Sequence, residues 1–282
     1  MKLCLITNQA DFAREAEQAG VDRIMLDLER RGKAQRQAGK DLFLSDHRIE
    51  DVRTLRGTLT TATLVVRINA LHDRSDVEIE QVIEGGADLV MLPYFRTIED
   101  VRRFFTLVSG RARTILLVET TSAVDNLNDI VDEHGIDEIY IGLNDLSIGL
   151  DRTVIFEPVC DGTVDRLAAI LRKKAIPFGF GGIARLSASD LPVTPEVLLA
   201  EQVRLGASLG WLGRRFRGDM ETSRDPGELA AEIALVRHTI ARWSRASVED
   251  SRGNSIRLEH EVNAWRTRMD SRKTTSTAPF PF

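Results

Sequence analysis

The stretch that decides the fold is Thr114–Ser147, TILLVETTSAVDNLNDIVDEHGIDEIYIGLNDLS. Its first apolar run, Ile115–Val118, has the continuous aliphatic character of a parallel strand buried on both faces. Apolar residues then recur at helical spacing, which predicts an amphipathic helix over Ser122–Glu133. A second apolar run follows at Glu138–Ile141. The stretch therefore predicts a strand, a helix and a second, parallel strand.

An acidic residue follows each of these two strands, Glu119 after the first and Asp145 after the second. Neighbouring parallel strands lie ~4.8 Å apart, so both carboxylates can reach one cation. Hard divalent ions favour one or two carboxylates with several positions left to water. Two interpretations stay open: a metal site, or Asp145 capping a short turn while Glu119 pairs with a neighbouring arginine.

Length and composition limit the class of protein. A chain of 282 residues can bury one large core. The net charge of −5 gives no ground for binding nucleic acid, and Cys4 and Cys160 form neither a disulfide framework nor a metal motif. No apolar run approaches the ~20 residues that cross a bilayer, and no signal-peptide pattern is present. These features predict a soluble, cytoplasmic protein without a membrane partner.

Strand-like and helical patterns alternate as far as about residue 245, which favours a parallel sheet covered by helices. Eight such units predict a (β/α)₈ barrel over residues 1–245, with a doubly wound sheet as the alternative. The predicted strands are Leu3–Thr7, Arg23–Leu28, Thr63–Ile68, Leu89–Leu92, Ile115–Val118, Glu138–Ile141, Phe178–Phe180 and Ser208–Leu212. The predicted helices are Asp11–Ala19, Ile49–Arg56, Val77–Glu84, Ile98–Val108, Ser122–Glu133, Thr163–Lys174, Pro195–Leu205 and Pro226–Ser244.

Most of these strands end in polar or glycine residues, and in a barrel the carboxyl ends of the strands share one face, where the chemistry occurs. Arg67 is the most informative of these strand-end residues, because a guanidinium is costly to bury without an anion. Its partner is either an acidic residue of a neighbouring strand or a bound substrate. The other candidates at the strand ends are Asp27, Glu29, Pro93, Asn144, Gly181 and Gly182.

Ordered motifs at these ends resemble one protein family, that of the HpcH/HpaI aldolases and the citrate lyase β-subunit. The resemblance spans roughly residues 2–215 and implies a (β/α)₈ barrel. The motifs are Asp27-Leu-Glu29, Val66-Arg67-Ile-Asn69, Gly86-Ala-Asp-Leu-Val-Met-Leu-Pro93, Val118-Glu119-Thr120, Ala123-Val-Asp-Asn126 and Ile141-Gly-Leu-Asn-Asp145-Leu-Ser147.

The resemblance also implies a site. Glu119 and Asp145 would hold Mg²⁺ or Mn²⁺, which chelates a pyruvate-like 2-oxo acid, and Arg67 would contact the same keto oxygen. Asp27 and Glu29 would hold these residues in position without binding the metal or the substrate themselves. Carbon–carbon bond cleavage or formation at the enolate would follow, with an aldehyde or a thioester as partner. The residue types support this chemistry independently of the resemblance, because a cation and an arginine stabilise the negative charge that develops on the keto oxygen.

The chain departs from the family pattern at Arg30. Aldolases of the family carry a histidine there that serves in general base chemistry, and the thioester branch carries an acidic residue. Three candidates for the base remain: His72 after strand 3, His47 as a weaker one, and a metal-bound water. Schiff-base chemistry is disfavoured, because the predicted strands carry no lysine beyond Lys2.

The loop after strand 2, Glu29–Lys40, is basic. It is either a solvated loop or a clamp over an acidic second substrate, such as a phosphorylated or carboxylated aldehyde or a coenzyme A phosphate. In the second case Arg30 and Arg31 bind substrate. Segment Ser147–Gly162 is predicted to be a lid or a subunit contact. The basic residues of the loop are Arg30, Arg31, Lys33, Arg36 and Lys40.

Beyond residue 245 the composition changes. A polar linker is predicted over Ser247–Asn254, followed by a short amphipathic helix that ends near residue 270. Ser271–Phe282 is rich in Ser, Thr and Pro and is predicted to be disordered. The helix either covers a neighbouring subunit of a homo-oligomer or caps its own barrel. Its apolar residues are Leu258, Val262, Trp265 and Met269.

The sequence therefore predicts a metal-dependent aldolase or lyase that works through a pyruvate enolate, with an aldehyde, possibly sugar-derived, as partner. Two alternatives are a thioester lyase like citrate lyase or malyl-CoA lyase, and a non-catalytic barrel that binds a metal or an oxo acid.

Overall fold

Eight parallel strands close into a barrel in the computed structural model, which describes residues 1–33, 45–218, 220 and 226–273. Each strand pairs with the next along the chain, and the eighth pairs with the first. The predicted (β/α)₈ barrel is confirmed, and the doubly wound alternative is wrong. The strands are β1 Lys2–Ile6, β2 Arg23–Asp27, β3 Thr63–Arg67, β4 Leu89–Leu92, β5 Arg113–Val118, β6 Glu138–Ile141, β7 Phe178–Ile183 and β8 Leu209–Leu212.

Helices cover the outside of the barrel. In the described part of the chain they are α1 Ala10–Gln18, α2 Glu50–Thr58, α3 Ser75–Glu84, α4 Ile98–Val108, α5 Thr121–Asp125, α6 Leu127–Ile130, α7 Leu143–Gly149, α8 Glu157–Cys160, α9 Thr163–Lys173, α10 Pro195–Leu205, α11 Arg214–Arg217, α12 Pro226–Trp243 and α13 Val248–Lys273. None of the helices so described is both long and apolar enough to cross a bilayer.

Two apolar clusters result from the alternation of side chains along the strands. The larger lies between the strands and the helices, and the smaller fills the inside of the barrel. Strands buried on both faces explain why their sequences are almost continuously apolar. The inner cluster comprises Cys4, Met25, Val65, Leu89, Met91, Ile115, Leu117, Tyr140 and Leu209.

The amino end of the barrel is filled by a buried ion pair. Arg23 begins β2 and Glu138 begins β6, and the two side chains meet with Nη2 and Oε1 2.5 Å apart. Both residues are less than 5 % exposed. Cys4 lies beside them, and burial raises the pKa of its thiol to about 12. Such a thiol stays protonated and unreactive at neutral pH.

The helix predicted over Ser122–Glu133 is two short helices, α5 and α6, that meet at Asn126. The Asn126 side chain donates to the Ser122 carbonyl oxygen at 2.9 Å, a local bond of the kind that competes with the helical pattern. The short helices α7, α8 and α11 were not predicted. Among them, α7 carries Asp145 in its first turn.

The carboxyl-terminal helix α13 is longer than predicted. Ser247 and Asp250 form reciprocal side-chain to backbone hydrogen bonds of 3.0 and 3.2 Å, so the helix begins where a polar linker was predicted. The helix packs on its own barrel, since Leu258 and Val262 are buried and the Asn254 amide donates to a carbonyl of α10 at 3.0 Å. The segment predicted to be disordered, Ser271–Phe282, begins within this helix, which extends to Lys273, and residues 274–282 lie outside the described residues.

Candidate active site

A cavity of about 230 Å³ opens at the carboxyl ends of the strands. This is the face on which barrels of this class carry their chemistry. The volume lies below the ~300–1,000 Å³ typical of pockets for larger ligands, which favours a small substrate. The polar and glycine residues that line it are Asp27, Lys33, Arg67, Glu119, Gly142, Asn144, Asp145, Gly181, Gly182, Gly213, Arg214 and Arg217.

Glu119 is fixed at the end of β5 by its neighbours on both sides. Its Oε1 accepts a hydrogen bond of 2.9 Å from the backbone N–H of Tyr94. Tyr94 has φ +49°, a left-handed conformation that is rare for an aromatic residue. On the other side, the Thr120 hydroxyl accepts from the Ala123 N–H at 3.1 Å and begins α5. The position of the Glu119 carboxylate is therefore set by the backbone at Tyr94 and by the start of α5.

Asp145 and Glu119 line the same cavity. Burial raises the pKa of the Glu119 carboxyl well above its usual value, and the negative charges of Glu29 and Asp145 raise it further. Two buried carboxylates of this kind repel each other unless a cation neutralises them. The predicted pair of candidate metal ligands is thus brought together in one cavity.

Arg67 finds its anion in Asp27. Its Nε and Nη2 atoms donate to the two carboxylate oxygens at 2.8 and 2.6 Å, and its guanidinium lies 5.2 Å from the Trp211 ring. Burial alone would raise the pKa of Asp27, but Arg67 and then Lys33 hold that pKa well below its usual range. The carboxylate is therefore ionised and keeps the guanidinium in place at the cavity.

Lys33 enters the cavity from the loop after β2. Its ammonium lies 3.3 Å from Asp27 and 3.5 Å from Glu29, and it is almost fully buried. Glu29 also lies 3.5 Å from Arg67. Two carboxylates, Asp27 and Glu29, and two cations, Lys33 and Arg67, therefore form one buried cluster, in which the carboxylates hold the cations in place.

Arg30 and Arg31, predicted to bind substrate, do not line this cavity. Their backbone N–H groups both donate to the Asn69 side-chain oxygen at 2.9 Å. The Arg30 guanidinium donates to the Ser45 carbonyl oxygen at 2.8 Å. These contacts fasten the start of the loop to the segment after β3 and to Ser45. Arg36 and Lys40 lie outside the described residues.

His72 lies in a shallow depression next to the cavity rather than in it. Its Nε2 is 2.8 Å from a Glu78 oxygen, and its Nδ1 accepts from the Arg74 N–H at 3.1 Å. The other Glu78 oxygen accepts from the Asn69 amide at 2.8 Å. His72 and Glu78 thereby hold the asparagine that fastens the loop, which is a positioning role. The catalytic role predicted for His72 stays a prediction.

His47, the weaker candidate base, is buried behind Asp27. Its Nδ1 accepts from the Asp27 N–H at 2.9 Å, and burial lowers the pKa of its imidazole. It does not line the cavity either.

The sequence comparison decides the family. The profile of the HpcH/HpaI aldolase/citrate lyase family matches residues 2–157. The chain belongs to this family. No curated protein sequence matches the chain. The predicted resemblance is confirmed, and membership supports an enzyme of the aldolase or lyase class that acts on small molecules.

Solved structures show the same fold. An HpcH/HpaI aldolase from Desulfitobacterium hafniense DCB-2 is similar over 85 % of this chain and 92 % of its own, with a TM-score of 0.58 and 16 % identity. An HpcH/HpaI aldolase/citrate lyase family protein from Burkholderia cenocepacia J2315 is similar over 79 % of this chain and 95 % of its own, with a TM-score of 0.56 and 16 % identity.

The donor set of this HpcH/HpaI family member fits a divalent cation. Glu119 and Asp145 are hard oxygen donors, and two carboxylates with open positions suit Mg²⁺ or Mn²⁺. Among the described residues, no group of three or more acidic, histidine or cysteine side chains is placed to hold a metal ion.

Several residues of the cavity were not predicted. Trp211, Arg214 and Arg217 come from the end of β8 and from α11, and the same strand-end argument would have found them had it been extended to β8. Ile155 and Phe156 form an apolar wall and come from the segment predicted to be a lid or a subunit contact. Asn144, Gly181 and Gly182 line the cavity as predicted, whereas Pro93 does not.

Proposed function

We propose that the chain is a divalent-metal-dependent carbon–carbon lyase or aldolase that forms or cleaves a 2-oxo acid through a pyruvate-type enolate, with an aldehyde as partner. One observation carries the proposal. The Glu119–Asp145 carboxylate pair and a buried, oriented Arg67 share a single small cavity at the catalytic face of a barrel of this family. The aldehyde, possibly sugar-derived, rests on the resemblance alone.

Glu119 and Asp145 would hold Mg²⁺ or Mn²⁺, and the ion would supply a Lewis acid for the keto oxygen of the 2-oxo acid. The raised pKa of Glu119 supports this assignment, because without a cation its carboxylate is destabilised by burial and by its acidic neighbours.

Arg67 stabilises the negative charge that develops on the keto oxygen when the neighbouring carbon loses a proton or a carbon substituent. Its orientation is set before the substrate arrives, because Asp27 holds it in a two-point ion pair and Trp211 lies against it. A fixed guanidinium needs no reorganisation during the reaction. Gly181 and Gly182 present bare backbone to the cavity, where a small substrate can approach closely.

Calorimetric metal titration and deuterium exchange into the methyl group of pyruvate test the proposal together. Glu119→Gln and Asp145→Asn should each weaken metal binding and abolish exchange, while the exposed control Asp129→Asn keeps both. Arg67→Ala should still bind the metal but lose exchange by orders of magnitude. Unchanged metal affinity in Glu119→Gln and Asp145→Asn would place the site elsewhere.

The non-catalytic alternative, a barrel that binds a metal or an oxo acid, has one observation in its favour. Among the described residues, no histidine ring lines the cavity. Arg30 occupies the position at which the aldolases that the chain resembles carry a histidine for general base chemistry. Metal binding without any pyruvate exchange in the parent protein would establish this alternative. Turnover that depends on coenzyme A would instead identify a thioester lyase.

A further inference from the structure

A lysine reaches the cavity from the loop after β2. Lys33 lines the cavity together with Arg67 and Glu119, and its side chain is only 8 % exposed. Arg67 is the last residue of β3 and Glu119 follows β5 directly, whereas Lys33 belongs to no strand. The ammonium therefore enters from the loop side of the barrel, beyond the strand ends that carry the other two residues.

The contacts of this ammonium are long. Its Nζ atom lies 3.3 Å from an Asp27 oxygen and 3.5 Å from a Glu29 oxygen, whereas strong hydrogen bonds between an ammonium and a carboxylate measure ~2.7–2.9 Å. Within the described residues these two carboxylates are the partners of the Lys33 side chain. An ammonium has three N–H donors. At least one of them is therefore available to a molecule in the cavity.

Lys33 also differs in kind from the other cations of the cavity. Among the described residues that line it, the other cations are Arg67, Arg214 and Arg217. Arginine keeps its proton in proteins, and neither of the histidines considered as the base lines the cavity. Of the described lining side chains, Lys33 is thus the one cation that can give up a proton.

The addition of an enolate to an aldehyde requires such a proton. The electron pair of the enolate forms the new carbon–carbon bond, and the π pair of the aldehyde C=O bond moves to the aldehyde oxygen. That oxygen becomes a hydroxyl only when it receives one proton. A side chain placed to deliver it accelerates such a step roughly a hundred- to ten-thousand-fold.

We propose that Lys33 is the general acid of this step, a catalytic residue that donates an Nζ proton to the aldehyde oxygen. The lysine is left as a neutral amine and regains its proton from water, and cleavage is the same transfer in reverse. Asp27 and Glu29 balance the charge of the ammonium, which favours a proton donor over the amine nucleophile of imine chemistry. The inference rests on the proposed function and adds the residue that serves its second substrate.

The first experiment compares two rates in the Mn²⁺-loaded protein. Deuterium exchange into the methyl group of pyruvate needs no aldehyde, whereas addition of pyruvate to glycolaldehyde, glyceraldehyde or succinic semialdehyde needs the proton donor. Lys33→Arg keeps the positive charge without a transferable proton, so kcat for addition should fall roughly a hundred- to ten-thousand-fold and exchange much less. Lys173→Arg, at an exposed position of α9, is the matched control and should leave both rates unchanged.

The second experiment restores the amine. Lys33→Cys removes it, and alkylation with 2-bromoethylamine rebuilds a side chain of nearly the same length that ends in an amine. The native thiols should not react, because burial raises the pKa of Cys4 and of Cys160 to about 12. The amine should recover most of the lost addition rate, whereas iodoacetamide, which adds a neutral amide, should recover none. Calorimetric titration with Mn²⁺ checks that each variant keeps its metal site.

Several results would overturn the role of Lys33 while exchange in the parent still supports the enolate chemistry. They are full addition activity in Lys33→Arg, equal losses of exchange and addition in that variant, recovery by iodoacetamide, and exchange without addition to any of the three aldehydes. A pyruvate adduct on Lys33 after borohydride reduction, detected by mass spectrometry, would show an imine nucleophile instead. A parent without exchange would overturn the enolate chemistry and this inference with it.

Discussion

At the scale of single residues, the position of Glu119 depends on a glycine. A Cβ atom built on Gly142 would lie 2.6 Å from both the Cβ and the Oε2 of Glu119, a distance that real side chains do not tolerate. Gly142 has φ −87°, so it is required here for space and not for an unusual backbone. The carboxylate and the start of α7, which carries Asp145, are packed against each other through this missing side chain.

Gly142→Ala should therefore displace the Glu119 carboxylate and weaken divalent metal binding by roughly ten- to a hundred-fold, the range seen when the support of a metal ligand is lost. Calorimetric titration with Mn²⁺ checks this. Gly57→Ala is the control, because its Cβ meets nothing within 4 Å in α2 and the change should be neutral or stabilising by up to about 1 kcal/mol. Equal metal affinity in the two variants would show that Glu119 has room to move.

Residues at the ends of strands, such as Arg67, or directly after them, such as Glu119, could be predicted from the sequence, because buried parallel strands have a recognisable pattern and a fixed direction. The sequence did not predict that Lys33 would enter the cavity while Arg30 and Arg31 would stay outside. All three lie on one basic loop, whose course is set by backbone bonds to Asn69, by the bond of the Arg30 side chain to Ser45 and by the ion pairs of Lys33 with Asp27 and Glu29. Such bonds leave no local pattern.

At the scale of elements, α1 is tied to the segment before β3 by one carboxylate. Glu17 accepts hydrogen bonds from the backbone N–H groups of Thr60, Thr61 and Ala62 at 2.9, 2.6 and 2.5 Å. Burial would raise the pKa of Glu17, but these bonds lower it from 4.5 to about 2. Because the pKa is lower in the folded state, the carboxylate contributes stability above about pH 4.5 and loses it as the pH falls toward 2.

Glu17→Gln should reduce the free energy of unfolding at pH 7 by about 1–2 kcal/mol, a value below the range for a fully buried charged bond because Glu17 is half-exposed. Urea denaturation at pH 7, 5, 4 and 3 should show this difference shrinking below pH 4.5. Glu15→Gln on the same helix is the control and should show little difference at any pH. A difference that stays constant down to pH 3 would contradict the linkage.

Element boundaries were predicted where periodicity was unbroken, as in α4 and α10, and missed where a single polar side chain decided them. Asn126 divides α5 from α6 through its own side-chain bond. Ser247 begins α13 through a capping arrangement whose sequence signature, Ser-x-x-Asp, lies inside a stretch that composition alone assigns to a linker. Apolar periodicity therefore misled the interpretation at the first place and polar composition at the second, although the local chemistry was present in the sequence.

At the scale of the whole molecule, α13 closes the barrel on the side of α10. Leu258 is 1 % exposed and packs into the main core, with Trp265 and Met269 partly buried against the same core, whereas Ile256 on the same helix is 50 % exposed. The structure favours a helix that caps its own barrel. The homo-oligomer stays a prediction that rests on the resemblance.

Leu258→Ala should lower the free energy of unfolding by about 2–3 kcal/mol, at the low end of buried leucine truncations because the site lies at the edge of the core. The melting temperature should fall by several degrees. Ile256→Ala is the matched control and should leave the melting temperature nearly unchanged. A lower oligomer mass in Ile256→Ala, measured by sedimentation, would show that the outer face of α13 contacts another subunit. Equal melting of the two variants would contradict the packing of α13 described above.

The ion pair of Arg23 and Glu138 has a consequence for the order of events in a reaction. Because this pair and the apolar layer above it fill the amino half of the barrel, we expect small molecules to reach the cavity from the carboxyl ends of the strands. If the 2-oxo acid binds at Arg67 and Glu119 as proposed, a partner that enters by the same route would lie above it and block its exit. Pyruvate would then bind first in the addition direction and leave last in the cleavage direction. Product inhibition of cleavage should show this order, with pyruvate competitive and the aldehyde noncompetitive against the adduct.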